Sequence, residues 1–325
     1  MHVLVTGGAG FIGSHLAEYH LLSEDMVHVV DDLSTGNPNN IKPFISHRNF
    51  RFSEANLLTW DGLQTAVAWA DRIYHLAAVV GVKHVLDEPV KVMSTNVAGT
   101  ERLLRAIYDG GWNPEVVIAS SSEVYGFNEK ESYDESCDIV LRSGGRLRWT
   151  YAVAKLADEY LAFSYVRKYD LNIVIARLFN TIGPRQTGRY GMVVPTFIEQ
   201  AVKNEPITVY GDGLQTRSFC DVHDTVMALF LLAVCPESKG EIVNVGNTQE
   251  TSILNLAKLI KERANSHSEI IHVPYHNAYG TEFDDMNHRR PDITKLAKLT
   301  PFSPKRNLID TIDELIELKR KELGV

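Results

Sequence analysis

Cysteine is scarce in this sequence: three in 325 residues, Cys137, Cys220 and Cys235, far apart and without a CxxC pair. That usage indicates neither a disulfide framework nor a zinc site, and it fits a reducing compartment. Long apolar runs are missing too. None approaches the length needed to span a membrane, and Met1-His-Val-Leu-Val-Thr-Gly passes from a short apolar run into a glycine turn without the basic and long apolar regions of a secretion signal. A cytoplasmic protein with no membrane partner is expected. There is no excess of positive charge: 33 Lys and Arg against 41 Asp and Glu leave a net charge of -8 at pH 7, which argues against a nucleic-acid surface. Repeats and low-complexity tracts are absent. His272 and His276 bracket Pro274, which disfavours a helix, and no acidic pattern completes a ligand set, so no metal is expected.

What is present is a chain 44% hydrophobic, long enough for one large domain or two intimate ones. Short apolar runs at His2–Val5, Val27–Val30, Arg72–Leu76, Val116–Ala119 and Asn172–Ala176 read as buried parallel strands. Between them, Val90–Tyr108, closed by Gly110-Gly111, and Tyr151–Tyr169 read as long helices. This alternation predicts an α/β fold, a Rossmann-type doubly wound parallel sheet. Beyond it the rhythm loosens into Pro- and Gly-punctuated segments that suit a smaller C-terminal substrate-binding lobe. The expected division is 1–178 for a dinucleotide-binding domain and 179–325 mainly for the lobe, with some segments returning to the sheet. Leu308–Leu323 reads as a solvated amphipathic helix.

Gly7-x2-Gly10-x2-Gly13 follows the first strand and opens a helix. Glycines there permit a tight turn, close approach of a pyrophosphate and helix packing, with the phosphate on the helix N-terminus. The second strand ends in Asp31, placed to bind ribose hydroxyls and repel a 2′-phosphate, which favours NAD over NADP. Tyr151 and Lys155 stand four positions apart and share a helix face. The ammonium is expected to lower the phenol pKa, so that Tyr151 exchanges a proton near neutral pH while a hydride leaves a carbinol carbon.

Strings along nearly the whole chain carry a resemblance: 7–16, 31–36 (Asp-Asp-Leu-Ser-Thr-Gly), 75–78 (His-Leu-Ala-Ala), 96–100, 120–126 (Ser-Ser-Ser-Glu-Val-Tyr-Gly), Tyr-x3-Lys at 151–155, Leu-Phe-Asn at 178–180 and Tyr-Gly-Asp-Gly at 210–213. They are similar to the extended short-chain dehydrogenase/reductase family acting on nucleotide-sugars. The resemblance implies that Phe11 and Ile12 join the glycine turn around NAD, and that Asp31 and Asp32, with Ser34 and Thr35, hold ribose. Leu76, Ala77 and Ala78 line the nicotinamide side, and Asn96 steadies the central helix. Asn56, beside Leu57, stands where the family usually has an aspartate touching adenine. The resemblance also implies a homodimer through the two long helices and a UDP-sugar substrate. Asn180, Arg185, Tyr210 and Arg217, with Val194, are candidates for its nucleotide end, since guanidinium forks suit a diphosphate and an aromatic ring stacks on a pyrimidine.

Family members share oxidation at C4 and diverge after the 4-keto intermediate. Ser121 matches the residue that hydrogen-bonds the reacting hydroxyl. Ser122 stands where 4,6-dehydratases carry an aspartic acid, and a hydroxyl cannot supply that acid near neutral pH. Glu123 would be an unneeded buried charge in an epimerase, whereas Ser122-Glu123 resembles UDP-glucuronate decarboxylases. The tail Ala278–Asp292 and Arg148-Trp-Thr-Tyr151 are similar to a bacterial decarboxylase of that kind, with Arg289 on the arginine that approaches the sugar carboxylate or C5. Oxidation at C4 makes a β-keto acid, which loses its carboxyl if the enolate is stabilised. Oxidative decarboxylation of UDP-glucuronate is the leading expectation. The loop Gly183–Met192 keeps UDP-sugar 4-epimerisation as the alternative, and a non-enzymatic NAD sensor is the reading from a different class.

Overall fold

The computed structural model describes residues 1–142, 146–188, 192–274, 286 and 288–325. Along the first half the chain runs β1 (His2–Thr6), α1 (Phe11–Leu22), β2 (Met26–Asp31), β3 (Phe50–Glu54), α2 (Leu63–Trp69), β4 (Arg72–His75), α3 (Val82–Asp87), α4 (Pro89–Asp109), β5 (Glu115–Ser121), α5 (Thr150–Tyr169) and β6 (Ile173–Leu178). It continues with β7 (Thr181–Ile182), α6 (Val193–Val202), β8 (Ile207–Tyr210), β9 (Thr216–Ser218), β10 (Cys220–Asp221), α7 (Val222–Val234) and β11 (Ile242–Val245). The last elements are β12 (Glu250–Ser252), α8 (Ile253–Arg263), β13 (Ile270–Val273), α9 (Thr294–Leu299) and α10 (Leu308–Leu323).

Among the described residues, seven strands form one sheet in the order β11-β6-β5-β4-β1-β2-β3, every pairing parallel. Alternation along β1 shows why. Val3 and Val5 face a core shared with Leu16 of α1 and Leu229 of α7, while Leu4 faces the core of α2 and α4 with Val67 and Leu103. The inner strands bury apolar residues on both faces, as a sheet covered by helices on both sides requires. The expected doubly wound fold is therefore present.

Two strands of this sheet escaped the apolar-run reading. β3 is an edge strand of half-exposed, half-charged sequence, Phe-Arg-Phe-Ser-Glu, and carries little hydrophobic signal. β11 is four residues inside the later half of the chain and pairs with β6, so residues 242–245 sit in the main sheet. Outside that sheet, α6, α8 and α10 pack around β8 through Phe197, Val209, Leu256 and Ile312. The terminal helix is thus part of a core, and its charged stripe faces outward.

Candidate active site

The carboxyl ends of β1, β2, β4, β5 and β6 open onto a cavity of about 580 Å3 that continues between the sheet and the α6–β8 region. At its β1 end Gly7 has φ +72°, and a Cβ on it would come within 2.7 Å of the Ala77 amide. A Cβ on Gly13 would collide with the Gly7 carbonyl, so β1, β4 and α1 close up only because both are glycine. Gly10 is the N-cap of α1 without a side-chain cap, leaving backbone N–H groups directed at the cavity. Phe11, Ile12, Ser34, Thr35, Leu57, Leu76, Ala77 and Ala78 line the same cavity.

Asp31 ends β2, buried, and its two oxygens accept from the amides of Ala9 (3.0 Å) and Leu33 (2.9 Å). Burial raises its carboxyl, and these amides work against that rise. Asp32 is more open. It accepts from the Ser34 amide at 3.0 Å and from Asn56 Nδ2 at 2.9 Å, so Asn56 secures the second acid.

On the far side, Ser121 ends β5 and Tyr151 stands in the first turn of α5, with the serine hydroxyl facing the phenol. α5 is anchored by Glu159, which accepts from Ser120 Oγ at 2.5 Å and from both prongs of Arg177 at 2.9 and 2.8 Å. Lys155 is 2% exposed and lies 3.2 Å from Asp158 Oδ2. Here the sequence expectation needs correction. Burial raises the Tyr151 phenol above its ordinary value and outweighs the lowering by Lys155, and the nearby carboxylates of Glu123 and Asp158 push the same way as burial. Without ligands, the lysine alone does not bring the phenol to neutral pH.

Glu123 follows β5 in a short 3-10 turn whose first residue, Ser122, is buried. Burial would raise its carboxyl, yet the guanidiniums of Arg148 and Arg289 hold it down at about 2. Arg148 Nη1 donates at 2.7 Å to one oxygen and Arg289 Nη1 donates to the other. Arg289 also donates to the Asn180 side chain, which itself donates to the Ser218 carbonyl at 3.0 Å.

Most other expected residues reach the cavity, including Val194, Tyr210 and Arg217, the last bonded to the carbonyls of Thr216 (2.7 Å) and Met286 (2.9 Å). Two do not. Arg185, at φ +68°, turns toward α1, donating to Glu18 at 2.5 Å and stacking over Phe44, so it is not at the nucleotide end. Asn96 is buried and pairs with both the amide (2.7 Å) and the carbonyl (3.1 Å) of Val79, shaping the cavity wall from behind without touching its interior. Sequence reasoning missed Arg148 and Asp158 as site residues. The signal for Arg148 was its place in the Arg-Trp-Thr-Tyr string; Asp158 had only its position three residues after Lys155 on one helix face. Residues 278–285 and 287 of the tail, His276, and Arg189, Tyr190 and Gly191 of the 183–192 loop lie outside the described residues. Among the described residues, no group of three or more His, Cys, Asp or Glu is placed to hold a metal ion, and no helix is long and apolar enough to cross a membrane.

A glycine turn under an uncapped helix, an acid ending the second strand and a half-buried tyrosine beside a buried lysine together define a dinucleotide-dependent enzyme. The chain belongs to the NAD dependent epimerase/dehydratase family, whose model matches residues 3–246. NAD is its cofactor, and the close-packed Gly7–Ala77 cradle fits that group. Over 319 residues the chain is 35% identical to the UDP-N-acetyl-alpha-D-glucosaminuronate decarboxylase of Bacillus cytotoxicus, covering 98% of this chain and 97% of that protein. It is also 35% identical to UDP-glucuronic acid decarboxylase 1 of Xenopus tropicalis, over 99% of this chain and 72% of the relative. Among solved structures, UDP-glucuronic acid 4-epimerase from Bacillus cereus, in complex with UDP-glucuronic acid and NAD, matches with a TM-score of 0.89 at 27% identity, covering 99% of this chain and 100% of that chain.

Proposed function

We propose that this enzyme oxidises UDP-glucuronate at C4 and releases carbon dioxide from C5 through a 4-keto intermediate. The observation that carries the reading is the Arg148–Glu123–Arg289 cluster beside Tyr151. Among the described residues, two guanidiniums converge on one carboxylate, an arrangement that suits a sugar bringing its own carboxylate. Relatives named as uronate decarboxylases, which match nearly the whole of this chain, support it.

In this reading Gly7, Gly10 and Gly13, with Phe11 and Ile12, receive the pyrophosphate of NAD at the start of α1, and Asp31 and Asp32 accept from ribose. Ser34, Thr35, Asn56 and Leu57 surround the adenosine, while Leu76, Ala77 and Ala78 flank the nicotinamide. Bound in its oxidised form, NAD supplies a hydride acceptor and a positive ring charge. Tyr151 takes the proton of the C4 hydroxyl, Ser121 hydrogen-bonds that hydroxyl, Ser122 shapes the floor and Lys155 stabilises the phenolate. The C5–carboxyl bond then breaks, its electron pair moving to the C4 oxygen as an enolate. Because Glu123 is ionised and holds both arginines, the substrate carboxylate meets guanidiniums already shared. That avoids a tight ground-state pair which would deepen the well before bond cleavage. Arg289 orients the leaving carboxyl, and Asn180, Val194, Tyr210 and Arg217 receive the nucleotide.

The same reading assigns 1–178 to cofactor binding and 179–325 mainly to substrate, in the cytoplasm. It makes the protein a homodimer through α4 and α5, whose Val90, Tyr108, Val153 and Tyr160 are exposed apolar side chains; light scattering on a sizing column should return twice the chain mass.

The deciding experiment incubates the protein and NAD separately with UDP-glucuronate, UDP-N-acetylglucosaminuronate, UDP-glucose and UDP-N-acetylglucosamine, with products read by mass spectrometry and proton NMR. Loss of carbon dioxide from a uronate is expected, and the two uronates decide whether the sugar carries an N-acetyl group. The likeness to a solved 4-epimerase favours a second reading. A product of unchanged mass with inverted C4 would establish it and reduce Glu123 and Arg289 to binding roles.

A further inference from the structure

We propose that Asp158 is a positioning residue, the resident counter-charge that keeps the buried ammonium of Lys155 charged and in place for Tyr151 before any ligand arrives. The proposal rests on the reading of Tyr151 and Lys155 as the reacting pair.

Elimination carries the argument. Lys155 is 2% exposed, and a lone ammonium so buried would shed its proton. Carboxylates on two elements face this region, and most are committed. Glu159, on α5 itself, is held by Arg177 and Ser120. Glu123, from the turn after β5, is held by Arg148 and Arg289. From β4 the ring of His75 faces the ammonium; burial, with Lys155 adding, holds it at about 3, so it is neutral and brings no charge. β5 contributes the neutral hydroxyl of Ser121 beside Tyr151, and α4 that of Thr100 beside Asp158. Tyr151 is a neutral phenol at rest. Among the described residues, Asp158 is the acid left to Lys155: it is 0% exposed, 3.2 Å away, and its Oδ1 has no hydrogen-bond partner. Thr100 also donates to this carboxylate, but it is neutral, so no other cation competes for the charge among the described residues.

The carboxylate is also held still. Thr100 lies beside it, 3.1 Å from His75 Nε2, and His75 Nδ1 is 2.8 Å from Thr6 Oγ1 at the end of β1. A buried line of polar groups thus runs from the ion pair under the cavity floor to the glycine turn. Swinging Asp158 away would break it.

The test uses Asp158→Asn, which keeps the shape and removes the charge, and follows lysine side-chain carbons by 13C NMR, with Lys155 assigned by its absence in Lys155→Met. With NAD bound, Lys155 of the natural protein should stay charged above pH 10, and in Asp158→Asn it should lose its proton at least tenfold more readily. Carbon dioxide release should then show a new alkaline fall in kcat, at least tenfold beyond the new midpoint, with KM changed less than twofold, and Asp158→Glu should restore the profile. An unchanged Lys155 titration in folded Asp158→Asn overturns the proposal. Silence of the natural enzyme in the carbon dioxide assay would sink the proposed function instead, because the NMR titration stands without it. Should Asp158→Asn fail to fold, the double variant Lys155→Met/Asp158→Leu should fold again, since no orphaned charge remains; failure of that recovery also overturns the proposal.

Discussion

Tyr151→Phe removes the oxygen that accepts the C4 proton and leaves the ring packed where it is. It should lower kcat by about two to four orders of magnitude with NAD affinity unchanged, measured by calorimetry beside turnover. A small effect would overturn the assignment of the reacting pair. Glu123 poses a different question. Its carboxyl lies at about 2, below the ordinary 4.5, so the stabilisation it gives is complete above the ordinary carboxylate range and is lost only as pH falls toward 2. No limb of the rate profile above pH 5 belongs to it. Glu123→Gln therefore acts through charge, not titration: the two guanidiniums lose their shared anion and grip the substrate carboxylate instead. Carbon dioxide release should disappear while C4 oxidation, read as NADH absorbance in a single turnover, survives in part. An unimpaired decarboxylation rate would remove Glu123 from the mechanism. Tyr151 and Lys155 were legible because their relation is local, one turn of one helix. Arg148 and Asp158 acquire meaning only from partners brought by folding, and Arg185 was misread for the same reason, since its partner Glu18 lies far away in sequence on α1.

Among the elements, the β1–α1 turn is the one whose sequence leaves least freedom. Gly7→Ala would place a left-handed alanine with its Cβ 2.7 Å from the Ala77 amide, in a contact between two strand ends that cannot move apart without opening the sheet. Backbone strain of this kind costs about 1–3 kcal/mol. The melting temperature should drop accordingly, and NAD affinity should fall more than tenfold because Ala77 borders the cavity. A variant that binds NAD normally would show that the turn tolerates displacement. Strands β1, β2, β4, β5 and β6 were readable because they are covered on both faces, so each carries a run of buried apolar residues, with its polar positions mostly toward the ends. β3 shows only edge character, and β11 belongs to the sheet by a long crossover that no local pattern reports. The short pairs β7–β10, β9–β12 and β8–β13 owe their pairing to packing beyond the sheet, and their sequences read as loop.

For the whole molecule, burial of histidine couples stability to pH. His28 in β2 is 2% exposed, lies edge-on to Trp60 at 5.8 Å and has its pKa lowered to about 4, first by burial and then by Arg51. His75 is lowered to about 3. Both are neutral in the fold, whereas in the unfolded chain they take a proton near 6.5. The unfolded state therefore binds more protons below that value, so stability is full above about pH 6.5 and declines as pH falls toward 4 and then 3. Each such histidine contributes a slope of at most about 1.4 kcal/mol per pH unit within its window. Asp31 and Asp158, whose carboxyls burial raises, act in the opposite sense and soften the decline. A single substitution isolates one share. His28→Phe keeps an aromatic edge against Trp60, gives up the 2.9 Å contact with Ser53 and removes the titrating group. Denaturant unfolding of the natural protein should lose stability steadily between pH 6.5 and 4.5, and His28→Phe should be flatter over that interval by up to about 1.4 kcal/mol per unit. Equal slopes in the two proteins would mean that His28 finds a proton in the folded state as easily as in the unfolded one, and the cause of acid sensitivity would have to lie elsewhere in the core.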